Sequence, residues 1–221
     1  MTAPALAAEQ VYRFFRTGDD ETLALRGVSL TVEPGETVAV VGPSGCGKST
    51  LLACLAGLDE PDGGSVRVAG ERLSHRPEPE RARIRAQRIG VLMQTRNLLA
   101  HLDVCANVRL ARLVPGGARG RDVDALLDQV GLAHRAAAYP TELSGGELAR
   151  AGLAVALANE PDIVLADEPT GELDGQSESQ VLDLLRERAG QGAALLVVTH
   201  SARVVAIADR VATLHDGTVI A

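Results

Sequence analysis

The sequence predicts one α/β domain with a parallel β-sheet core, a small antiparallel β subdomain and an inserted α-helical subdomain. Three observations lead to this fold class. Short β-branched runs alternate with helical segments after residue 161, which is the pattern of a parallel sheet. Apolar and polar residues alternate in segments near the N-terminus, which indicates an antiparallel sheet. Residues 95–158 carry helical patterns that are broken by turn residues at 115–117 and at Pro140.

The composition is that of a single folded domain. A chain of 221 residues, 46% hydrophobic and 23% charged, is long enough to bury a core and too apolar to be disordered. The net charge of -7 gives no overall basic field, so we expect no nucleic-acid partner. Four arginines between residues 81 and 88 do not alter this expectation, because glutamates accompany them.

The cysteines and the N-terminus bear on the compartment. Cys46, Cys54 and Cys105 show no CxxC spacing, and their odd number argues against a disulfide framework. Residues 1–10 lack a basic region, and no apolar run approaches the ~20 residues that cross a bilayer. We therefore expect a cytoplasmic protein that reaches the inner face of the cell membrane only through a partner.

The element order is read from periodicity and turn residues. Residues 36–42 form a β-branched run that predicts a buried strand, and 48–56 predict a helix that ends at Gly57. Alternation predicts further strands at 28–32 and 65–69, and arginine spacing predicts a helix over 81–88, followed by a strand at 89–93. The C-terminal third continues with strand 163–167, helix 177–188, strand 194–199, helix 202–208 and strand 211–214.

A phosphate-binding motif joins the strand at 36–42 to the following helix. The residues Gly-Pro-Ser-Gly-Cys-Gly-Lys-Ser at 42–49 fit G-x-x-x-x-G-K-[ST]. Its glycines let backbone N–H groups and the helix N-terminus surround a phosphate, and Lys48, the one lysine of the sequence, adds a positive charge. The motif predicts a P-loop NTPase (RecA-like) core that binds ATP and Mg²⁺ through Gly42, Pro43, Ser44, Gly45, Cys46, Gly47, Lys48, Ser49 and Thr50.

An acidic pair marks the end of a second buried strand. Asp167 and Glu168 follow the apolar residues 163–166, and ligands of open α/β sheets gather at the carboxyl ends of strands. An isolated acidic pair is more typical of solvated surface. With the phosphate loop upstream, we predict that Asp167 binds Mg²⁺ and that Glu168 orients or deprotonates the attacking water.

A third motif carries a family resemblance. Leu-Ser-Gly-Gly-Glu at 143–147 lies between the other two motifs, and the chain resembles the ATP-binding subunits of ABC transporters over nearly its whole length. The resemblance implies ATP hydrolysis in a dimer, in which Ser144, Gly145, Gly146 and Glu147 contact the γ-phosphate held by a second subunit. Glu147 stands where many relatives have Gln, and both residues occur there.

Further roles follow from the resemblance at matching positions. Gln94 is expected to bind the metal and the water at the hinge between core and helical subdomain. Asp174 is expected to link the two sites of the dimer, and His200 to contact the γ-phosphate. The implied catalytic residues are Glu168, His200 and Lys48, and the implied metal ligands are Ser49, Gln94 and Asp167.

The adenine contact is chosen among neighbouring aromatic residues. Tyr12, Phe14 and Phe15 are three of the four aromatic residues of the chain, and the family places one ring on the base. We select Phe15, because the family's ring precedes a short glycine-containing turn such as Thr17-Gly18. The alternative is that all three rings pack the small sheet.

The resemblance also implies domain limits and partners. The nucleotide-binding core comprises 1–94 and 159–221, and the helical subdomain comprises 95–158. Thr95 and Arg96 replace an aromatic residue of many relatives on the surface that usually faces the permease. The expected partners are a second ATP-binding subunit, identical or related, and a multi-span membrane permease.

The residues Ala-Asp-Glu-Pro-Thr-Gly at 166–171 and the compact length resemble the subunits that serve lipoprotein-release, macrolide-export and cell-division-type permeases. Two other classes fit less well. A soluble ABC ATPase of chromosomes or ribosomes would carry a long coiled coil or a second cassette. A small-molecule kinase shares the phosphate loop but lacks the Ser-Gly-Gly signature.

Overall fold

The computed structural model describes residues 3–17, 20–94, 97–113, 122–171 and 173–220, which form two β-sheets flanked by helices. Elements are numbered in chain order. The first sheet is antiparallel, with the strand order β2-β1-β4-β5. Its strands are β1 (Leu6–Thr17), β2 (Asp20–Val32), β4 (Gly63–Val68) and β5 (Glu71–Arg72).

The second sheet has the order β10-β9-β3-β8-β7-β6. Its neighbours from β9 to β6 are parallel, and β10 alone pairs antiparallel with β9. This arrangement confirms the predicted α/β class. The strands are β3 (Thr37–Val41), β6 (Ile89–Leu92), β7 (Ile163–Asp167), β8 (Ala194–Val198), β9 (Arg210–His215) and β10 (Thr218–Ile220).

Several helices begin at residues whose side chains cap the first turn. Asp103, Ser144 and Asp174 each accept a hydrogen bond from a backbone N–H of the first turn that follows. Two 3₁₀ turns cover Ala133–Arg135 and Pro140–Glu142. The α-helices are α1 (Lys48–Leu55), α2 (Glu78–Arg88), α3 (Val104–Arg112), α4 (Val123–Gln129), α5 (Gly145–Leu157), α6 (Gly175–Gly190) and α7 (Ala202–Val205).

Alternating side chains of the central strands fill two hydrophobic clusters. Leu165 and Leu196 pack on the side of α1 and the antiparallel sheet. Val164 and Leu195 point to the opposite side, against residues of α5 and α6. Each such fully buried side chain contributes about 1.5–3 kcal/mol relative to an exposed one. Burial on both faces fixes the sheet, and with it the loops at its carboxyl edge.

Several predicted elements differ in extent from the observed ones. Strand β2 is much longer than the predicted 28–32, because its polar first half pairs with β1. Helix α6 starts at Gly175 instead of 177, and α7 ends at Val205 instead of 208. Strands β1, β5 and β10 were not predicted. The loop at 115–117 and the substitutions Thr95 and Arg96 lie outside the described residues.

The helical segment predicted for 95–158 contains α3, α4 and α5. The limits of the two subdomains stay a prediction. Among the helices of the described ranges, none has the length and apolar composition that crossing a membrane requires.

Candidate active site

A cavity of about 980 Å³ opens where the loops after β3, β7 and β8 meet. The loop residues 44–50 line one side, and residues 167–168 line another. Gln94 and His200 also reach the cavity, and Phe15 contributes from the antiparallel sheet. The parallel order of β3, β8 and β7 explains this convergence, because their carboxyl ends share one edge.

The phosphate loop requires its glycines. Gly42 has φ 157°, and a Cβ there would lie 2.1 Å from the carbonyl oxygen of Leu214. Gly47 has φ 104°, and a Cβ there would lie 2.5 Å from the carbonyl oxygen of Ala24. Neighbouring backbone therefore surrounds the loop so closely that only glycine fits at these two positions.

Lys48 is held at the centre of this loop. Its Nζ donates hydrogen bonds to the carbonyl oxygens of Gly42, at 2.8 Å, and Pro43, at 2.9 Å. The residue is only 8% exposed. Gly47, the N-cap of α1, provides no side-chain cap, so N–H groups of the first helical turn remain available to an anion.

Ser49 and Asp167 meet across the cavity floor. The Ser49 hydroxyl donates a 2.9 Å hydrogen bond to Asp167 Oδ2, and Asp167 is 7% exposed. Within the described parts of the chain, no three His, Cys, Asp or Glu side chains form a metal cage. With Gln94, the cavity instead offers a hydroxyl, a carboxylate and an amide. This sparse oxygen set suits Mg²⁺, which keeps waters and phosphate oxygens among its ligands.

Glu168 occupies a strained backbone position, and one of its carboxylate oxygens accepts no hydrogen bond among the described residues. Its φ is 45°, in the left-handed region. Oε2 accepts hydrogen bonds from the Thr199 hydroxyl, at 3.3 Å, and the His200 N–H, at 3.2 Å. Oε1 is buried and has no hydrogen-bond partner among the described residues, and His200 Nε2 lies 3.6 Å from it. The carboxylate is therefore oriented, with one oxygen left to accept a proton.

A further carboxylate of the cavity, Glu178, was missed by sequence reasoning. It lines the cavity and accepts hydrogen bonds from Ser201 Oγ, at 2.8 Å, Thr170 Oγ1, at 3.3 Å, and Arg203 Nη1, at 2.7 Å. Burial raises the pKa of Glu178, but the hydrogen bonds from Ser201 and Arg203 outweigh it and lower that pKa overall. Glu178 thus ties α6 to the loop that carries His200.

The three neighbouring aromatic residues differ in whether they line the cavity. Phe15 lines the cavity and is 41% exposed. Tyr12 lies between Gly27 and Gly63, where its ring packs within the antiparallel sheet. Phe14 is 37% exposed but does not line the cavity. Phe15 is the ring that can reach a bound base.

Residues 144–147, which carry the Ser-Gly-Gly signature, lie at the N-terminus of α5 and not in the cavity. Ser144 caps α5, and its N–H and hydroxyl bond to Glu147 Oε2 at 2.8 and 2.9 Å. Both hydrogen bonds lower the pKa of Glu147, the backbone one most. Gly146 is buried against Ser177, and a Cβ there would lie 2.3 Å from the Ser177 hydroxyl oxygen. None of residues 144–147 lines the cavity.

Asp174 is also outside the cavity. It caps α6, where Oδ1 accepts the N–H groups of Gln176 and Ser177, both at 3.0 Å. The Ser177 backbone and side-chain hydrogen bonds lower the pKa of Asp174, the backbone one most. The structure therefore brings the phosphate loop, Gln94, the acidic pair and His200 together in one chain, and leaves Asp174 and residues 144–147 outside that cavity. Gly145 lines a smaller neighbouring cavity of about 210 Å³, which Gln94 and Glu168 also line.

Known proteins resemble the chain over its whole length. A family model described as ABC transporter matches residues 25–171. The macrolide export ATP-binding/permease proteins MacB of Hyphomonas neptunium and Burkholderia pseudomallei (strain 1710b) are each 40% identical over 100% of this chain. The chain spans about a third of their length, 35% and 34% respectively.

Solved structures give the same result. The ATP-binding cassette MJ0796, in a dimeric post-hydrolysis state with ADP and Pi, has a TM-score of 0.90 and 33% identity, covering 98% of this chain and 97% of that one. A second dimeric structure of this bacterial ABC transporter cassette has a TM-score of 0.89 with the same identity and coverage. The chain belongs to the ABC transporter family and is one of its ATP-binding, ATP-hydrolysing cassettes.

Proposed function

We propose that two copies of this chain enclose ATP and that their closure drives a multi-span membrane permease. Each ATP would lie between the phosphate loop of one copy and residues 144–147 of the other.

The triphosphate would bind at the phosphate loop. Lys48, already fixed by the Gly42 and Pro43 carbonyl oxygens, would exchange these for β- and γ-phosphate oxygens. Ser49, Asp167 and Gln94 would hold Mg²⁺. When bound, Mg²⁺ would neutralise negative charge on the phosphates.

Cleavage would depend on Glu168. Its buried Oε1 has no hydrogen-bond partner among the described residues, so it can accept a proton from a water that attacks the γ-phosphate. The Thr199 and His200 hydrogen bonds hold the other oxygen and so fix the direction of the carboxylate. His200, whose side chain is 60% exposed, is free to contact the γ-phosphate.

The observation that carries the dimer is the position of the α5 N-terminus. Ser144 and Gly145 are exposed, and neither lines the cavity of their own chain. A helix N-terminus favours a phosphate, and here the phosphate would have to come from another chain. The dimeric MJ0796 structures, with TM-scores of 0.90 and 0.89, support two copies as the working unit.

The permease partner is supported by the named relatives. The MacB proteins are described as ATP-binding/permease proteins, and this chain corresponds to about a third of their length. We therefore assign the chain to the cytoplasmic face of a membrane, attached through a permease of the macrolide-export type. Detection of such a multi-span permease after purification of the chain from detergent-solubilised membranes tests this part.

Mixing of two inactive variants tests the shared site. Lys48→Ala removes the phosphate-loop charge, and Ser144→Arg blocks the α5 N-terminus. In a mixed dimer one site combines both defects, and the other pairs an intact Lys48 with an intact Ser144. Single-turnover ATP cleavage, measured across mixing ratios, should therefore peak near equal proportions.

The controls are the two variants alone and a direct demonstration that mixed dimers form. If each chain built its own site, every site would carry one defect. A flat, inactive profile in the presence of mixed dimers would then refute the proposal.

A further inference from the structure

One face of the Phe15 ring is covered by an arginine. The guanidinium carbon of Arg13 lies 4.8 Å from the centre of the ring, within the ~6 Å at which a cation and an aromatic face attract. Phe15 is nevertheless 41% exposed and lines the cavity. The face opposite Arg13 is thus the one available for stacking on a base.

Arg13 is itself held by two carboxylates. Its Nε and Nη2 donate to the two oxygens of Asp59, each at 2.8 Å, and its Nη1 donates to Asp62 Oδ2 at 3.1 Å. The Arg13 side chain is only 21% exposed. A guanidinium with a two-bond carboxylate partner is fixed in plane as well as in position, which a lysine ammonium cannot reproduce.

The same acidic turn also holds the backbone on both sides of Arg13. The Phe14 N–H donates to Asp62 Oδ2 at 2.7 Å, and the Asp62 N–H donates to the Tyr12 carbonyl oxygen at 2.9 Å. The Asp59 N–H donates to the Ala53 carbonyl oxygen of α1 at 3.1 Å. A continuous chain of contacts therefore leads from α1, which follows the phosphate loop, through Asp59 and Arg13 to the Phe15 ring.

We propose that Arg13 is a positioning residue that holds the Phe15 ring in the orientation for stacking on the adenine of ATP, with Asp59 and Asp62 fixing Arg13. This inference rests on the proposed nucleotide site. An exposed phenylalanine without this support would populate several rotamers and would lose freedom on binding. Because Arg13, Asp59 and Asp62 order the ring before ATP binds, binding does not have to pay this entropic cost. Their contacts also fix the distance between the Phe15 ring and the phosphate loop.

The test compares a ligand with a base and a ligand without one. Dissociation constants are measured by calorimetry for ATP and for inorganic tripolyphosphate, on wild-type protein and on Arg13→Lys. The variant should bind ATP about two- to tenfold more weakly, which is the cost of ordering one side chain. Its affinity for tripolyphosphate should not change, because that ligand does not reach Phe15.

Two further variants separate positioning from general damage. Arg83→Lys is the matched control, because Arg83 does not line the cavity and pairs at 2.8 Å with Glu71 of β5, in the sheet that also contains β1. It should leave both affinities unchanged. In a Phe15→Leu background, Arg13→Lys should produce no additional loss of ATP affinity, since the ring through which it acts is gone.

The outcomes are distinct. Unchanged ATP affinity in Arg13→Lys, equal loss of both ligands, or additive losses in the double variant would each overturn the positioning role. If wild-type protein bound tripolyphosphate as tightly as ATP, the base would add no affinity. That result would also overturn the positioning role, while leaving the phosphate site intact. Failure of the wild type to bind either ligand would instead overturn the proposed nucleotide site itself.

Discussion

The Ser49 hydroxyl donates a 2.9 Å hydrogen bond to Asp167, although the two residues are 118 positions apart in sequence. Strand β8 pairs with both β3 and β7, so the loop after β3 and the end of β7 face each other. Two motifs that the sequence shows separately thus supply adjacent oxygen atoms.

Ser49→Ala should raise the Mg²⁺ concentration needed for half-maximal ATPase activity. The proposed metal site has few protein oxygens, so removal of one should cost at least about tenfold in metal affinity, as loss of an outer-shell partner already does. A titration of ATPase rate with MgCl₂ measures this. Ser65→Ala is the control, because its hydroxyl contacts Glu9 on the exposed sheet. If wild type, Ser49→Ala and Ser65→Ala reached half-maximal activity at the same Mg²⁺ concentration, the metal assignment would be contradicted.

Gly42→Ala should destabilise the fold as well as the site. A Cβ would lie 2.1 Å from the Leu214 carbonyl oxygen and 2.9 Å from Cys46 Sγ, so backbone must move. We expect a cost of about 3 kcal/mol, or a drop of about 6–12 °C in Tm for a domain of this size.

Gly190→Ala is the matched control for this change. A Cβ at Gly190 meets no atom within 4 Å, and the residue ends α6. Its Tm should stay unchanged or rise slightly, because alanine favours helix. Equal thermal unfolding of the two variants would show that the phosphate loop tolerates a side chain after all.

Local motifs predicted much of this molecule, and long-range contacts account for what they missed. The parallel strands and the phosphate loop depend on neighbouring residues, so periodicity and glycine spacing located them. Strand β1 was missed, and its pairing with β2 joins residues up to 26 positions apart. Glu178 acts through Ser201 and Arg203, which are more than twenty positions away, and no local pattern marks it. Strand β10 is a short edge strand that pairs with β9, and the turn before it is held by distant residues, because the Gly217 N–H donates to the Cys46 carbonyl oxygen at 3.1 Å and the Gly217 carbonyl oxygen accepts from the Arg26 N–H at 2.7 Å.

The choice of Phe15 shows a different limit. Strict alternation would assign each aromatic residue of β1 to a face, but the pairing of β1 with β2 shifts register between Arg13 and Phe14. Such irregularities change which face a side chain occupies. Family resemblance selected Phe15, and only the packed sheet shows that it lines the cavity while Tyr12 does not.

Glu147→Gln should lower stability in a pH-dependent way. The Ser144 hydrogen bonds lower the pKa of Glu147, so its carboxylate stabilises the folded protein fully above the ordinary glutamate pKa of about 4.3. This contribution is lost as the pH falls through the lower, folded pKa. Urea unfolding should therefore show wild type and variant diverging near pH 7 and converging below about pH 4.

The expected loss of unfolding free energy in Glu147→Gln is small. An acidic residue in the first turn of a helix contributes about 0.3–1 kcal/mol, and an amide retains part of the capping geometry. Glu33→Gln removes an exposed carboxylate in the loop between β2 and β3, outside any helix, and controls for loss of one charge. A difference between wild type and Glu147→Gln that stayed constant from pH 7 to pH 4 would exclude the carboxylate as its source.

Glu168→Gln should bind ATP normally and cleave it about 10²–10⁴-fold more slowly, the range expected for loss of a general base. The amide can keep the hydrogen bonds from Thr199 and His200 through its one oxygen, but the nitrogen that replaces Oε1 cannot accept a proton. Bound ATP should then persist, and gel filtration with ATP should show an accumulating dimer. Glu160→Gln is the matched control, since Glu160 is exposed and has a comparable left-handed φ of 49°. It should cleave ATP at the wild-type rate. Wild-type cleavage by Glu168→Gln would place the base at another residue, and a monomer that holds uncleaved ATP would contradict the shared site.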